Sequence, residues 1–415
     1  MHELGYRAPQ PDEEARILAK SVLVNPPGAQ MSHPSLAIAA AVLSGDPLIS
    51  YSGSIPAFPL GLASVAAAAL GRRPAWFLIS PTWSIEVDGL ALKLHQDAVA
   101  HRHDHPGHRL IFIGNAPNEV GLLRQHGEAA VLCNKTIHSS EHVFRPLEDV
   151  PREFDAIYNA QLVRWKRHEL SLGIPSCAFL FYRNDLKQDA AAAEMEIMAR
   201  HAANPGHVFI NALDKDRPAG RLPPSEVNRH LNRACVGLCL SKVEGAMFAS
   251  TEYLLSGLPI VTTPSQGGRQ VYHDAEYCLT VPPDPRSVGE AVQALKARGI
   301  PRAYIRNRTL QRLDLDRERF MALLNSILEE AGSARRLAGP WPFRKEVTME
   351  WLPPQQALIR ADFGVVDGFR PPRRGVMRWR RWKRAIGLST PKEETHPHPD
   401  PLPRSSDPDA PWGTG

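Results

Sequence analysis

The chain has 415 residues, 43% of them hydrophobic, and a formal net charge of +5. It holds no run of about 18 apolar residues, which excludes a transmembrane helix, and Met1-His2-Glu3-Leu4 lacks the charged-then-apolar order of a secretory signal. Its five cysteines (Cys133, Cys177, Cys235, Cys239, Cys278) are odd in number and form no Cys-x2-Cys pair. They are read as buried free thiols of a cytoplasmic protein rather than a disulfide framework or zinc ribbon.

The chain opens with residues 1–74, the least legible part, where small and apolar residues over 35–70 suggest a helix-rich start. From residue 75, short apolar runs alternate with helical patterns: strands at 76–79, 109–115 and 129–133, with helix-like stretches at 90–99 and 119–125 between them. A second series follows Arg145-Pro146. Its strands are expected at 154–158, 177–182, 207–210, 236–240, 259–262 and 278–281, its helices at 190–201, 225–234, 246–256 and 287–296, and a last helix at 304–330. Continuous apolar strands separated by helices indicate parallel sheets covered on both faces. Two such series make a two-domain α/β protein with a cleft where strand ends face each other.

The chemistry concentrates between Leu240 and Asp284. A strand ends at Leu240-Ser241, the loop Lys242-Val243-Glu244-Gly245 follows, and a helix is expected from Ala246 to Ser256, stopped by Gly257. A helix N-terminus after a strand offers unpaired N–H groups and partial positive charge to a diphosphate. Gly245, Ala246, Met247 and Phe248 would line that approach. Glu252, further along the helix, suits vicinal hydroxyls such as those of a ribose, and Glu244 lies nearer the sugar.

These residues, with Ser256-Gly257-Leu258-Pro259-Ile260-Val261 and Gly267-Gly268-Arg269, resemble the donor site of retaining GT-B glycosyltransferases of family 4. Upstream, Glu141-His142-Val143-Phe144-Arg145-Pro146 is similar to the segment ending that family's first domain, and 154–168 to the opening of its second. There the family has an Arg and, five residues later, a Lys, both bound to the donor diphosphate. Lys166 matches the Lys, whereas Gln161 stands where the Arg is expected. An amide cannot replace a bidentate cation, so Arg164 or Arg167 is a candidate substitute.

The resemblance implies a GT-B fold. Residues 1–150 would form an N-terminal Rossmann-like acceptor domain and 151–331 a nucleotide-sugar donor domain. Residues 332–388 would be an extension and 389–415 a disordered Pro-rich tail. It also implies transfer of a sugar from a nucleotide diphosphate sugar, a co-substrate rather than a cofactor, to a glycan or lipid-linked acceptor, with retention and without metal. Lys166 and the helix N-terminus would stabilise the leaving diphosphate, and Glu244 would position the sugar. The alternatives are a sugar-nucleotide epimerase, for which no suitable acid pair is visible, and a non-catalytic relative that binds a sugar nucleotide or a glycan-assembly partner.

Other features are set aside or held as secondary. His101, His103, His105 and His108 read as a surface turn rather than a metal site, and Asp214-Lys215-Asp216 and Asp314-Leu315-Asp316 as solvated surface. His138 follows a first-domain strand and is a candidate cleft contact. Arg373, Arg374, Arg378, Arg380, Arg381, Lys383 and Arg384 hold the net positive charge, so the rest of the chain is nearly neutral and no nucleic-acid partner is expected. Val376, Trp379, Trp382 and Ile386 form one stripe of a basic amphipathic helix, which suits an anionic membrane surface along residues 373–388, from Arg373 to Leu388. The protein would then be peripheral at the inner face of the membrane.

Overall fold

The computed structural model describes residues 38–45, 48–54, 58–64, 73–87, 89–182, 190–212, 222–339, 341 and 351–352. In the first domain β1 (Ile38–Gly45) pairs antiparallel with β2 (Leu48–Ser54), and β3 (Ala75–Pro81), β4 (His108–Gly114) and β5 (Ala130–Leu132) continue the sheet in parallel. Helices α1 (Leu90–Asp104) and α2 (Pro117–Gln125) connect the last three strands. The helix-rich opening expected within residues 35–70 is therefore corrected: 38–45 and 48–54 are strands. Their Ala-rich and Ser-rich composition resembles a helix, but β2 is buried along its whole length, and its Ser50, Ser52 and Gly53 are small enough for both faces to be covered.

The second domain carries β6 (Phe154–Asn159), β7 (Cys177–Leu180), β8 (His207–Phe209), β9 (Ala234–Cys239), β10 (Ile260–Thr262) and β11 (Cys278–Thr280). Their spatial order is β11-β10-β9-β6-β7-β8, with every neighbour parallel. Numbered within the domain this is the doubly wound Rossmann order, whose direction of winding reverses between β6 and β9. Helices α3 (Ala190–His201), α4 (Pro224–Asn232), α5 (Phe248–Leu255) and α6 (Pro285–Arg298) accompany these strands. Two Rossmann-like α/β sheets are the architecture that the sequence predicts, and they fit the GT-B fold.

Local sequence explains how the reversal point is fixed. Gly237 in β9 faces Tyr253 of α5, and a Cβ at Gly237 would stand 2.5 Å from that ring. The ring packs on bare backbone, and its hydroxyl reaches across to accept the Asn159 N–H at 2.6 Å. The end of β6 is thereby tied to the helix that follows β9.

The domains are strapped together by α7 (Arg302–Glu330). Its Arg317, 4% exposed, donates to both carboxylate oxygens of Glu141 and to the carbonyls of Ile137 and Ser139. Arg306 donates to the carbonyls of Glu141, Phe144 and Leu255, bridging first-domain and second-domain backbone. Beyond α7, β12 (Trp351–Leu352) pairs with β1 in the first sheet, so part of the expected extension belongs to the first domain. The basic segment and the Pro-rich tail lie outside the described residues.

The histidines expected at a surface turn are instead partly a packed cluster. His101 and His108 are buried, their ring nitrogens 2.9 Å apart, and His105 stacks on His108 with centroids at 5.0 Å. Among the described residues no group of three or more His, Cys, Asp and Glu is placed to hold a metal ion. A second imidazole pair, His201 and His207, lies beside Phe179, with Nδ1 atoms 2.7 Å apart.

Burial, with lesser repulsion from neighbouring histidines, depresses His101, His108 and His201 to about 4. In the unfolded chain these rings titrate near ~6.5. Below that value the unfolded state takes up protons that the folded state refuses, so stability present above about pH 6.5 is lost as pH falls toward about 4. Urea unfolding should show a free energy lower at pH 5 than at pH 7 by on the order of 2 kcal/mol for each of these buried histidines. Replacing His101 and His108 by glutamine should flatten part of that slope.

Candidate active site

In open α/β sheets, ligands bind outside the carboxyl ends of the strands, where the winding reverses. Here that point receives two segments: the turn after β6, containing the 3-10 helix Arg164–Lys166, and the loop after β9 that carries Glu244. The Glu244 loop is zipped to the loop after β10. Val243 bridges Gln266, the Glu244 N–H donates to the Gln266 carbonyl at 3.1 Å, and the Gly268 N–H donates to the Gly245 carbonyl at 2.7 Å.

Glu244 is 6% exposed and ion-paired with Lys166. The same oxygen, Oε1, also accepts from the Ser241 hydroxyl at 2.6 Å. Burial works to raise the carboxyl pKa, but the Lys166 charge, the Lys166 and Ser241 hydrogen bonds and the Arg269 charge outweigh it and hold Glu244 below the usual carboxylate range. Arg269, 2% exposed, donates to the Ser241 carbonyl at 2.6 Å, to Ser241 Oγ at 3.1 Å and to the Thr263 carbonyl. One guanidinium thus clamps the ends of β9 and β10 and supplies positive charge beneath Glu244.

Other residues expected at the site fall in distinct places. Arg164 pairs with exposed Glu196. Arg167, the one described non-glycine residue at positive φ, donates from Nε to the Leu240 carbonyl and from Nη2 to Thr263 Oγ1, both at 2.7 Å. Gln161 is half-buried, and its carbonyl accepts the Val163 N–H in the same turn. The helix expected from Ala246 begins two residues later: Met247 is the N-cap and Phe248 the first helical residue of α5, on which Glu252 is buried. His138, expected in a cleft-facing loop, is packed 2% exposed among Tyr51, Phe320 and Trp341. Of the two Asp-x-Asp segments, 214–216 lies outside the described residues. Asp316 is bound by the Tyr272 hydroxyl and Arg319.

Gly267 and Gly268 act through close approach. Gly267 has φ +90°, and a Cβ there would stand 1.6 Å from the Glu244 carbonyl oxygen. Gly268 and Gly245 face the first domain: Cβ atoms on them would lie 2.3 Å from the Asn115 carbonyl and 2.6 Å from the Thr82 carbonyl. Thr82, Asn115 and Asn134 follow β3, β4 and β5, so the carboxyl ends of the two sheets meet directly. Asn134 Nδ2 donates to the carbonyls of Asn115 and Gly268 at 2.9 and 2.7 Å, and the Gly267 N–H donates to Glu86 at 3.1 Å. Trp83 meets Trp165 edge-on across the same boundary, centroids 6.4 Å apart.

Asn115, Asn134 and Lys135 are site residues that the sequence pattern leaves unmarked, although their position is a usable signal, since polar residues just after parallel strands point to the binding edge. Glu119, inside α2, and the two tryptophans carry no such signal. Arg269 was visible within the Gly-Gly-Arg run, but its burial was not.

No protein-family model and no curated protein sequence matches this chain. Among solved structures, Anabaena HepE in complex with UDP aligns over 64% of this chain and 76% of its own, at 13% identity and a TM-score of 0.49. A glycosyltransferase from Rickettsia africae aligns over 79% and 85%, at 12% identity and TM-score 0.48. Sucrose-phosphate synthase from Thermosynechococcus elongatus aligns over 62% and 68%, at 15% identity and TM-score 0.47. The fold rests on the strand order and register described above.

Lys166→Met leaves a largely buried carboxylate without its counter-ion and should lower stability by about 3 kcal/mol in urea unfolding. Combining it with Glu244→Gln, which removes the stranded charge, should recover much of that loss. Gly267→Ala should cost about 2 kcal/mol or more, because positive φ and the Glu244 carbonyl both oppose a side chain, readable as a lower thermal midpoint.

Proposed function

We propose that this chain is a glycosyltransferase that moves a sugar from a nucleotide diphosphate sugar to a glycan or lipid-linked acceptor, retaining the anomeric configuration and using no metal. The single observation that carries the reading is the Lys166–Glu244 pair at the reversal point of a Rossmann-ordered sheet, within the sequence pattern running from Ser241 to Arg269.

The chemistry follows from the free valences of the pair. Lysine has three N–H donors; one is spent on Glu244 Oε1, leaving others for the oxygens of a departing diphosphate. Oε1 already accepts from Lys166 and Ser241, which leaves Oε2 to orient a sugar hydroxyl. The N-terminus of α5 adds backbone N–H groups to the same leaving group. Glu252 on that helix would hold the ribose hydroxyls.

A second reading, a relative that binds a sugar nucleotide without turning it over, draws on a specific observation. Gln161 replaces the expected cation, and both candidate substitutes are engaged: Arg164 with Glu196, and Arg167 with strand-end oxygens. The proposed setting is cytoplasmic and peripheral to an anionic membrane face through residues 373–388. Among the described residues no helix is long and apolar enough to cross a membrane.

Nucleotide diphosphate release from a panel of UDP-, GDP- and ADP-sugars, with and without EDTA, tests the reading. One donor should turn over with chelator present, its product should keep the donor's anomeric configuration by NMR, and Glu244→Ala should lower kcat by about 100-fold or more. Tight donor binding without turnover, unchanged by Glu244→Ala, would favour the binding-only relative.

A further inference from the structure

Lys135 belongs to the first domain, in the 3-10 turn Lys135–His138 after β5, and is 5% exposed. Its Nζ donates to the carbonyls of Pro81 and Thr82, each at 3.1 Å. Both acceptors are neutral, and among the described residues Lys135 forms no ion pair. The carboxylates that face it are otherwise occupied. Glu119 on α2 accepts the N–H groups of Asn115 at 2.6 Å and Ile85 at 3.3 Å, and Glu244 accepts from Lys166 and Ser241. A buried ammonium served only by neutral acceptors is costly, and an arriving anion relieves that cost.

Its position gives the anion a location. The Thr82 carbonyl that binds Nζ is the same atom that would stand 2.6 Å from a Cβ at Gly245. Lys135 is therefore one carbonyl away from the Glu244 loop, across the domain boundary from Lys166.

We propose that Lys135 is a first-domain cation of the nucleotide site, placed to stabilise the diphosphate from the wall opposite Lys166 where Gln161 supplies no charge. This rests on the nucleotide-sugar reading of the site. The assignment has a pH signature. Burial pushes Lys135 down to about 8, partly opposed by the Glu119 and Glu244 charges, and burial pushes Glu119 up to about 7. Other charged groups around them are Glu86 in the loop after β3, with Lys166 and Arg269 beneath Glu244. Lys135 and Glu119 each feel the other's charge, so rising pH removes positive charge and adds negative charge at the same place.

Titration calorimetry of the full chain with UDP, ADP and GDP tests this. Lys135→Met should weaken the nucleotide that binds by about tenfold or more, the loss of a charge-assisted contact, while Lys135→Arg stays within about threefold. Wild-type affinity should fall between pH 7 and pH 9, and the steeper part of that fall should vanish in Lys135→Arg. Wild-type-like binding by folded Lys135→Met would overturn the proposal while leaving the nucleotide reading intact, and so would wild-type affinity that is flat across that pH range. Folded wild-type protein that binds none of the three would overturn both.

Discussion

A carboxylate 6% exposed to solvent stays ionised only when cations and donors are brought to it, and Glu244 obtains them from separate parts of the chain. Lys166 comes from the turn after β6, Ser241 from the end of β9, and Arg269 from the loop after β10. Each contribution requires its strand to end in the right place, so the parallel register of β6, β9 and β10 is what makes the pair. Tyr253 seated on Gly237, and Arg269 bonded to two strand ends, hold that register against the pull of solvent on the charges.

The second constraint is contact between domains. Gly245 and Gly268 bring second-domain backbone against the carbonyls of Thr82 and Asn115, closer than any side chain permits. Backbone polar groups buried in this way need partners, and Asn134 with Glu86 provides them. Farther out, Arg306 and Arg317 of α7 bind first-domain carbonyls and Glu141, which helps hold the carboxyl ends of the two sheets together. The same meeting of strand ends places the Lys135 ammonium beside the Glu244 loop.

Strands β3 to β11 were readable because buried parallel strands are continuous apolar runs, and the loop-to-helix passage at Glu244 was readable because Gly257 and Pro259 punctuate it. Strands β1 and β2 were not, since their alanines and serines carry no period that separates strand from helix. The start of α5 lies two residues later than the sequence predicts, because Ala246 and Met247 are good helix formers, yet Met247 takes an extended N-cap conformation after Gly245, whose carbonyl is bound by the loop after β10. His101 and His108 looked like solvated polar residues, and only packing against Phe77 shows them to be interior.

The sequence by itself determined two Rossmann-type series, the glutamate-bearing loop between a strand end and a helix, and the presence of Lys166 without its expected arginine. Those features are local: they follow from periodicity, punctuation and spacing along a few tens of residues. Tertiary structure alone decided which charges meet. It joined Lys166 to Glu244 across 78 residues, sent Arg164 and Arg167 to other partners, buried His138 among aromatic rings, and set Lys135 across the boundary. The physical reason is that a side chain's electrostatic environment depends on distance in space and exclusion of water, and neither is encoded at the position of the residue itself.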